Sequence, residues 1–226
     1  MATASWWNTA DRTVRQLALL ERDGLAVAGA GNVSVRLDDE LTLITRSGLR
    51  FGTASAADLC VVDEHGELTG GVPGEELTAG ARPSSETQLH LGVYRVTDAR
   101  AVVHTHGAFC TAVSTVVDTL PPVHYSVHRL GGPVGVVGYH TFGSPELADA
   151  VAAGFAGGAR AVLMRNHGAV VTGDSVEQAA EFAQLLEWLC EVYWRACALG
   201  TPALLTPEQL AAAADQSGRI AYMAER

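Results

Sequence analysis

The sequence predicts an α/β fold in which helices pack against the faces of a central, mainly antiparallel sheet. Three observations carry this expectation. The strand-like runs are short and joined by tight turns, the usual connection between antiparallel neighbours. Strands and helices interleave irregularly along the chain. The Gly-rich piece Gly29-Ala30-Gly31-Asn32 is not G-x-G-x-x-G and leads into a strand rather than a helix, which disfavours a dinucleotide-binding fold.

The elements follow in order. A first helix runs from about Asp11 to Arg22, with Val14, Leu17, Ala18 and Leu20 on its apolar face and Gly24 as its stop. Asn32 to Leu37 and Leu41 to Thr45 form a hairpin through the Asp38-Asp39 turn, and Leu59 to Asp63 is a further strand. Thr69 to Pro83 reads as an irregular surface loop because glycine and proline crowd its first half. A helix opens at Ser84 or Ser85, where Ser85 and Gln88 fit a capping box, and continues through Leu89, Val93 and Val96. Ala101 to His106 is a strand and Ala108 to Val117 a helix. Val123 to His128 and Val134 to Val137 are strands, and Pro145 to Ala156 is helical. Ala161 to Arg165 and Ala169 to Thr172 are strands, Ser175 to Leu199 is the longest helix, and Pro207 to Ala214 begins a helical tail. No linker or internal repeat divides the 226 residues, so residues 1–226 are expected to form a single domain.

Composition narrows the chemistry. Acidic residues number 25 against 15 basic ones, a formal charge of −10, so the basic excess that nucleic acid requires is missing and nucleic acid is not expected as a partner. Every basic residue is Arg, and the absence of Lys excludes Schiff-base, pyridoxal-phosphate-lysine and P-loop-lysine chemistry. Carbonyl chemistry would then need another electrophile, for which a metal is the natural choice. The cysteines Cys60, Cys110, Cys190 and Cys197 form no C-x-x-C pair, and the last two are expected to share a helix face in the core. The amino-terminal stretch mixes Arg, Asp and Glu among its apolar residues, and no run of about 18 apolar residues occurs, so no membrane association and a cytoplasmic location are expected.

Several residues stand out as candidates. His104-Thr105-His106 on a strand projects both imidazoles to one face, half of a site for Zn²⁺ or a similar ion, or else two packed sheet histidines. His167, in Arg165-Asn166-His167-Gly168, sits at a bend that suits a metal ligand or a plain turn. Glu86 falls in the first turn of its helix after Ser84-Ser85, where a carboxylate also serves the helix dipole and the serines serve as caps or as an anion cradle. Gly31-Asn32 and Ser47-Gly48 are small polar turns suited to holding a phosphate without lysine.

Taken in order, Gly31-Asn32-Val33-Ser34-Val35-Arg36, Ile44-Thr45-Arg46-Ser47-Gly48, Pro83-Ser84-Ser85-Glu86, Val103-His104-Thr105-His106 and Asn166-His167-Gly168 form a series that resembles the class II aldolase/adducin family. The likeness extends from about Arg12 to Leu199. It implies a three-layer α/β/α fold and a lyase that cleaves a ketose 1-phosphate, such as L-fuculose 1-phosphate or a 5-deoxypentulose 1-phosphate, to dihydroxyacetone phosphate and a small aldehyde. By the same resemblance His104, His106 and His167 bind Zn²⁺, with Mn²⁺, Co²⁺ or Fe²⁺ as alternatives, and Glu86 is both a fourth metal neighbour and the acid/base. Asn32, Ser47, Gly48, Ser84 and Ser85 match positions that hold the substrate phosphate, and Tyr125 matches a tyrosine that reaches the site of a neighbouring subunit. A cyclic homotetramer with active sites at its interfaces is implied. Two departures concern specificity: Arg46 replaces a proline of the phosphate loop, and Tyr222 is the only candidate for a tail tyrosine that shapes the aldehyde pocket. The alternatives are a pentulose-phosphate 4-epimerase, dehydratase or decarboxylase on the same metal site, and a non-catalytic interaction protein of the adducin kind. The continuation Gly107-Ala108-Phe109-Cys110-Thr111-Ala112 looks closer to the aldolases than to the epimerases, and the three histidines with Glu86 argue against the non-catalytic branch.

Overall fold

The computed structural model describes residues 2–224, with side chains described for residues 5–220, so Tyr222 lies outside the described side chains. The helices are α1 (Ala2–Arg22), α2 (Thr87–Val96), α3 (Ala108–Ser114), α4 (Pro145–Gly154), α5 (Val176–Leu199) and α6 (Pro207–Ala224). The strands are β1 (Asn32–Arg36), β2 (Thr42–Thr45), β3 (Leu59–Val62), β4 (Leu68–Gly71), β5 (Ala101–Thr105), β6 (Thr119–Leu120), β7 (Val134–Val137), β8 (Ala161–Met164) and β9 (Gly168–Gly173). They form one sheet in the order β4-β3-β2-β1-β5-β9-β8-β7-β6. Only the β7–β8 pair is parallel; the other pairings are antiparallel.

Alternation along the strands builds two cores. On one face Val33, Val103, Leu163 and Val171 pack with Leu17 and Leu20 of α1, Val113 of α3 and Phe182 and Leu186 of α5. On the other, Val102, Val162, Val170 and Met164 pack with Leu89 and Val93 of α2 and Leu147 and Val151 of α4. The result is the expected three-layer α/β/α arrangement. Each fully buried Leu or Val contributes roughly 1.5–3 kcal/mol, so both faces of the central strands are firmly held.

Several expected boundaries shift. Helix α1 starts at Ala2, not near Asp11, because Ala10 is fully buried and Trp6 also packs on the core. The start of the expected 69–83 loop is strand β4, whose exposed Leu68 and paired glycines lack the apolar alternation that announces a strand. Helix α2 begins at Thr87, and the Ser85–Gln88 capping box does not form. Instead the Thr87 hydroxyl and N–H donate to Ser84 O, while Gln88 turns away to donate to His65 O. The expected strand at 123–128 is a 3₁₀ turn over Tyr125–Leu130, capped by His124 Nδ1, which accepts from Ser126 N. Pairing stops at the short β6 because Pro121 and Pro122 supply no N–H donors. Cys197 is exposed rather than core, since the end of α5 runs past the sheet and also exposes Trp194 and Leu199.

Two glycines let three chain segments close on one another beside β5. A Cβ on Gly31 would stand 2.9 Å from His104 O, and one on Gly168 would stand 2.1 Å from Thr105 O. Only glycine allows β9 to enter the sheet this close to the end of β5. Gly168→Ala is therefore expected to lower stability by at least about 2 kcal/mol, read from denaturant unfolding, and an unchanged midpoint would contradict the close approach.

Candidate metal centre and substrate cleft

The α2/α4 face of the sheet carries an unusually polar patch at the carboxyl end of β5. Asn32 of β1 stands directly opposite His104 of β5, and His104 stands opposite Val170 of β9. His106 follows two residues on, just past the strand end, where its N–H donates to Leu25 O. The β8–β9 bend brings the third imidazole. Asn166 adopts a left-handed conformation with φ 57°, which asparagine tolerates, and His167 N donates to Met164 O.

The three rings meet. Their centroids lie 4.7 Å (His104–His106), 4.9 Å (His104–His167) and 4.8 Å (His106–His167) apart, and one ring nitrogen from each lies within 4.8 Å of the others. Ala169 O accepts a hydrogen bond of 2.9 Å from His104 Nδ1, which leaves Nε2 to face the cluster. Burial, followed by the neighbouring His104, lowers the pKa of His106 to about 3; burial and His104 also lower that of His167 to about 4. Both rings are therefore neutral at pH 7 and offer lone pairs.

Glu86 completes the group from the start of α2. Its Oε2 lies 3.1 Å from His104 Nε2 and accepts 2.9 Å from Asn32 Nδ2, and its Oε1 lies 3.6 Å from His167 Nε2. Burial alone would raise this carboxyl, but the charge and hydrogen bond of His104, then Asn32 and His167, hold it well below the usual carboxylate range. Oε1 is buried and has no hydrogen-bond partner. An orphaned carboxylate oxygen beside three converging imidazole nitrogens fits a divalent cation, and a nitrogen-rich set with one oxygen suits zinc and its borderline neighbours.

Above this floor opens a cleft of about 140 Å³ lined by Gly29, Gly31, Asn32, Arg46, Ser47, Gly48, Ser84, Ser85, Glu86, His106, Phe142 and His167. Nearly all the sequence-predicted site residues thus come together, while larger clefts, such as one of about 400 Å³ beside Thr97, Asp98 and Asp174, lie elsewhere. Ser84 Oγ accepts from Glu86 N and is buried, whereas Ser85, Ser47 and Gly48 are exposed at the rim. The amide of Asn32 is committed inward at both ends, to Glu86 Oε2 and to His90 Nε2, so at most one Nδ2–H remains for a ligand. Arg46 neither projects freely into solvent nor waits unpaired for a ligand: its Nε donates 2.7 Å to Asp58 Oδ1. Tyr125 does not line the cleft; it is exposed and stacks on His124 with a 4.3 Å centroid separation. Two residues that sequence reading passed over join the site from below, Ser34 and His90. Their signal was spacing: His90 is four residues after Glu86 on α2, and Ser34 is two after Asn32 on β1.

Known proteins resemble this chain in sequence and in fold. The class II aldolase and adducin N-terminal domain family matches residues 12–194. A 5-methylthioribulose-1-phosphate/5-deoxyribulose-1-phosphate aldolase of Rhodospirillum rubrum is 34% identical over 83% of this chain and 80% of its own. A 3-oxo-tetronate 4-phosphate decarboxylase of Haemophilus influenzae is 36% identical over 76% of this chain and 80% of its own. The solved structure of an L-fuculose 1-phosphate aldolase superposes with a TM-score of 0.84 at 29% identity, covering 93% of this chain and 96% of that one.

Two outcomes follow. His167→Ala should lose divalent metal by at least about tenfold in affinity, measured by elemental analysis and competition with a chelator; full retention would remove His167 from the ligand set. Burial tends to raise the Asp58 carboxyl, but Arg46, Ser55 and Thr78 together bring it down to about 2 from 3.8. Because the folded value is depressed, the stabilisation is complete above pH 4 and is lost as pH falls through about 2. Asp58→Asn should accordingly cost about 2 kcal/mol at pH 7, with the gap to the parent narrowing between pH 4 and pH 2 in urea titrations.

Proposed function

For a chain that belongs to the class II aldolase and adducin family, we propose a zinc-dependent aldolase that reversibly cleaves a ketose 1-phosphate, such as L-fuculose 1-phosphate or a 5-deoxypentulose 1-phosphate, to dihydroxyacetone phosphate and a small aldehyde. The observation that carries this reading is the unpartnered Oε1 of Glu86, buried beside His104, His106 and His167 at the floor of a small polar cleft. When bound, the cation supplies the Lewis acidity toward a substrate carbonyl that a lysine would provide in an imine mechanism, and this chain has no lysine.

The chain's own groups do the rest. Ser47, Gly48, Ser84 and Ser85, with the remaining amide hydrogen of Asn32, hold the phosphate at the rim through neutral donors. Arg46, tied to Asp58, keeps that rim in place. In cleavage Glu86 takes the proton of the C4 hydroxyl as that oxygen becomes the aldehyde carbonyl, the C3–C4 bond breaks, and its electron pair stays on C3. Glu86 delivers a proton to C3 and removes one in the synthetic direction, Oε1 being the oxygen free to do so. Tyr125 is too exposed to act within its own chain, so the reading gives its phenol to a neighbouring copy, where it donates to the aldehyde oxygen. Exposed Trp188, Trp194 and Tyr125 support such contacts within a homotetramer. The reading takes residues 1–226 as one domain and the protein as a cytoplasmic enzyme of sugar-phosphate metabolism, with its four cysteines free. No helix among the described residues is long and apolar enough to cross a membrane.

A second reading is decarboxylation of a 3-oxo acid phosphate on the same site, favoured by the Haemophilus influenzae relative. Loss of carbon dioxide leaves the same kind of carbanion beside a carbonyl, and Glu86 would protonate it in the same way. Both reactions release dihydroxyacetone phosphate, so the second product separates them: a small aldehyde marks the aldolase, carbon dioxide the decarboxylase. Glu86→Gln should keep the metal but lower kcat for ketose 1-phosphate cleavage by at least about 100-fold, followed by coupled reduction of dihydroxyacetone phosphate. Undiminished turnover in this variant would overturn the acid/base role.

A further inference from the structure

Beneath the cleft lies a line of buried polar groups with no part in the chemistry so far. His90 and Ser34 are fully buried, and Tyr94 is 7% exposed. Tyr94 OH lies 2.8 Å from Ser34 Oγ, Ser34 Oγ lies 2.7 Å from His90 Nδ1, and His90 Nε2 lies 2.5 Å from Asn32 Oδ1. Asn32 Nδ2 then donates 2.9 Å to Glu86 Oε2.

The direction of every link is set by the charge at one end. An ionised carboxylate only accepts, so Asn32 must present its NH₂ to Glu86 and its carbonyl to His90. The His90 Nε2 therefore carries the hydrogen, and its bare Nδ1 accepts from the Ser34 hydroxyl. The Ser34 oxygen in turn accepts from the Tyr94 phenol. Burial, with the nearby His104, lowers the His90 pKa to about 3, consistent with a neutral ring. A merely space-filling side chain at this depth would be apolar, as Leu89 and Val93 beside it are.

We propose that His90, backed by Ser34 and Tyr94, is a positioning residue: its Nε2–H locks the Asn32 amide in the one orientation that holds Glu86 Oε2 and leaves Oε1 free for proton transfer. The role in turnover rests on the aldolase reading above; the locking of the amide does not.

The test joins a spectroscopic and a kinetic arm. In ¹⁵N-labelled wild type, metal-free and metal-loaded, the His90 ring should show the Nε2–H tautomer from pH 5 to pH 8, and the Asn32 side-chain NH₂ should exchange slowly. His90→Phe keeps a ring but removes both nitrogens and should abolish that protection. With L-fuculose 1-phosphate or 5-deoxyribulose 1-phosphate, His90→Phe should lower kcat by roughly 10–100-fold, with KM within about twofold and metal content unchanged. His90→Gln, which restores a donor, should recover most of the loss. In an Asn32→Leu background His90→Phe should have less than about a twofold further effect, since the route runs through Asn32. An Nδ1–H tautomer, unaltered Asn32 exchange in His90→Phe, or an equal kcat loss in the Asn32→Leu background would overturn the proposal. Should wild type cleave no ketose 1-phosphate, the aldolase reading fails, while the tautomer and the amide exchange still decide whether His90 locks Asn32.

Discussion

A negative charge that has been taken out of water, the carboxylate of Glu86, is the constraint to which the rest of the structure responds. An ionised carboxyl is tolerated in a protein interior only when opposite charge and hydrogen bonds replace the lost hydration. Here His104 and Asn32 serve Oε2, His167 stands near Oε1, and the three ring nitrogens converge on a point that could hold a cation. Each partner comes from a different part of the chain, so the fold must bring β1, β5, the β8–β9 bend and the start of α2 to one point. The register that sets Asn32 opposite His104, and the glycines at 31 and 168 that let backbones touch, meet that demand.

Rigidity and reactivity are separated by layer. His104 rises from a strand, His106 and His167 from the strand end and the bend beside it, and Glu86 from a helix start, all against fully buried apolar neighbours. Of the groups proposed for phosphate, Ser47, Gly48 and Ser85 are exposed, with Asp58 tied to Arg46, Ser55 and Thr78 behind the 47–48 turn, while Ser84 and Asn32 lie buried beneath them. On the proposed reading, chemistry then sits on a fixed base and phosphate recognition at the more exposed rim.

Much of this was legible in the sequence, and unevenly so. The His104/His106 pair, the bend at His167 and the serines before Glu86 are short local patterns, and their order along the chain pointed to a common site. The mainly antiparallel sheet was readable from its tight turns, yet β4 was not, because an edge strand made of exposed and glycine residues has no alternation to read. The segment from Val123 to His128 misled through its β-branched and aromatic residues, which the capping His124 and two preceding prolines override. The capping box at Ser85 failed because α2 starts only after Glu86 has turned inward, a tertiary demand that local spacing does not express. Ser34 and His90 left only a weak trace in their spacing for a related reason: what they do depends on a partner 56 residues away.

The central claim, that three distant histidines share one metal ion beside Glu86, is tested most directly by a crystal structure of the zinc-loaded protein with anomalous data at the zinc edge. The account predicts a single strong peak per chain about 2.0–2.1 Å from one nitrogen each of His104, His106 and His167. A peak bound by fewer than all three imidazoles, or located away from Glu86, would contradict it.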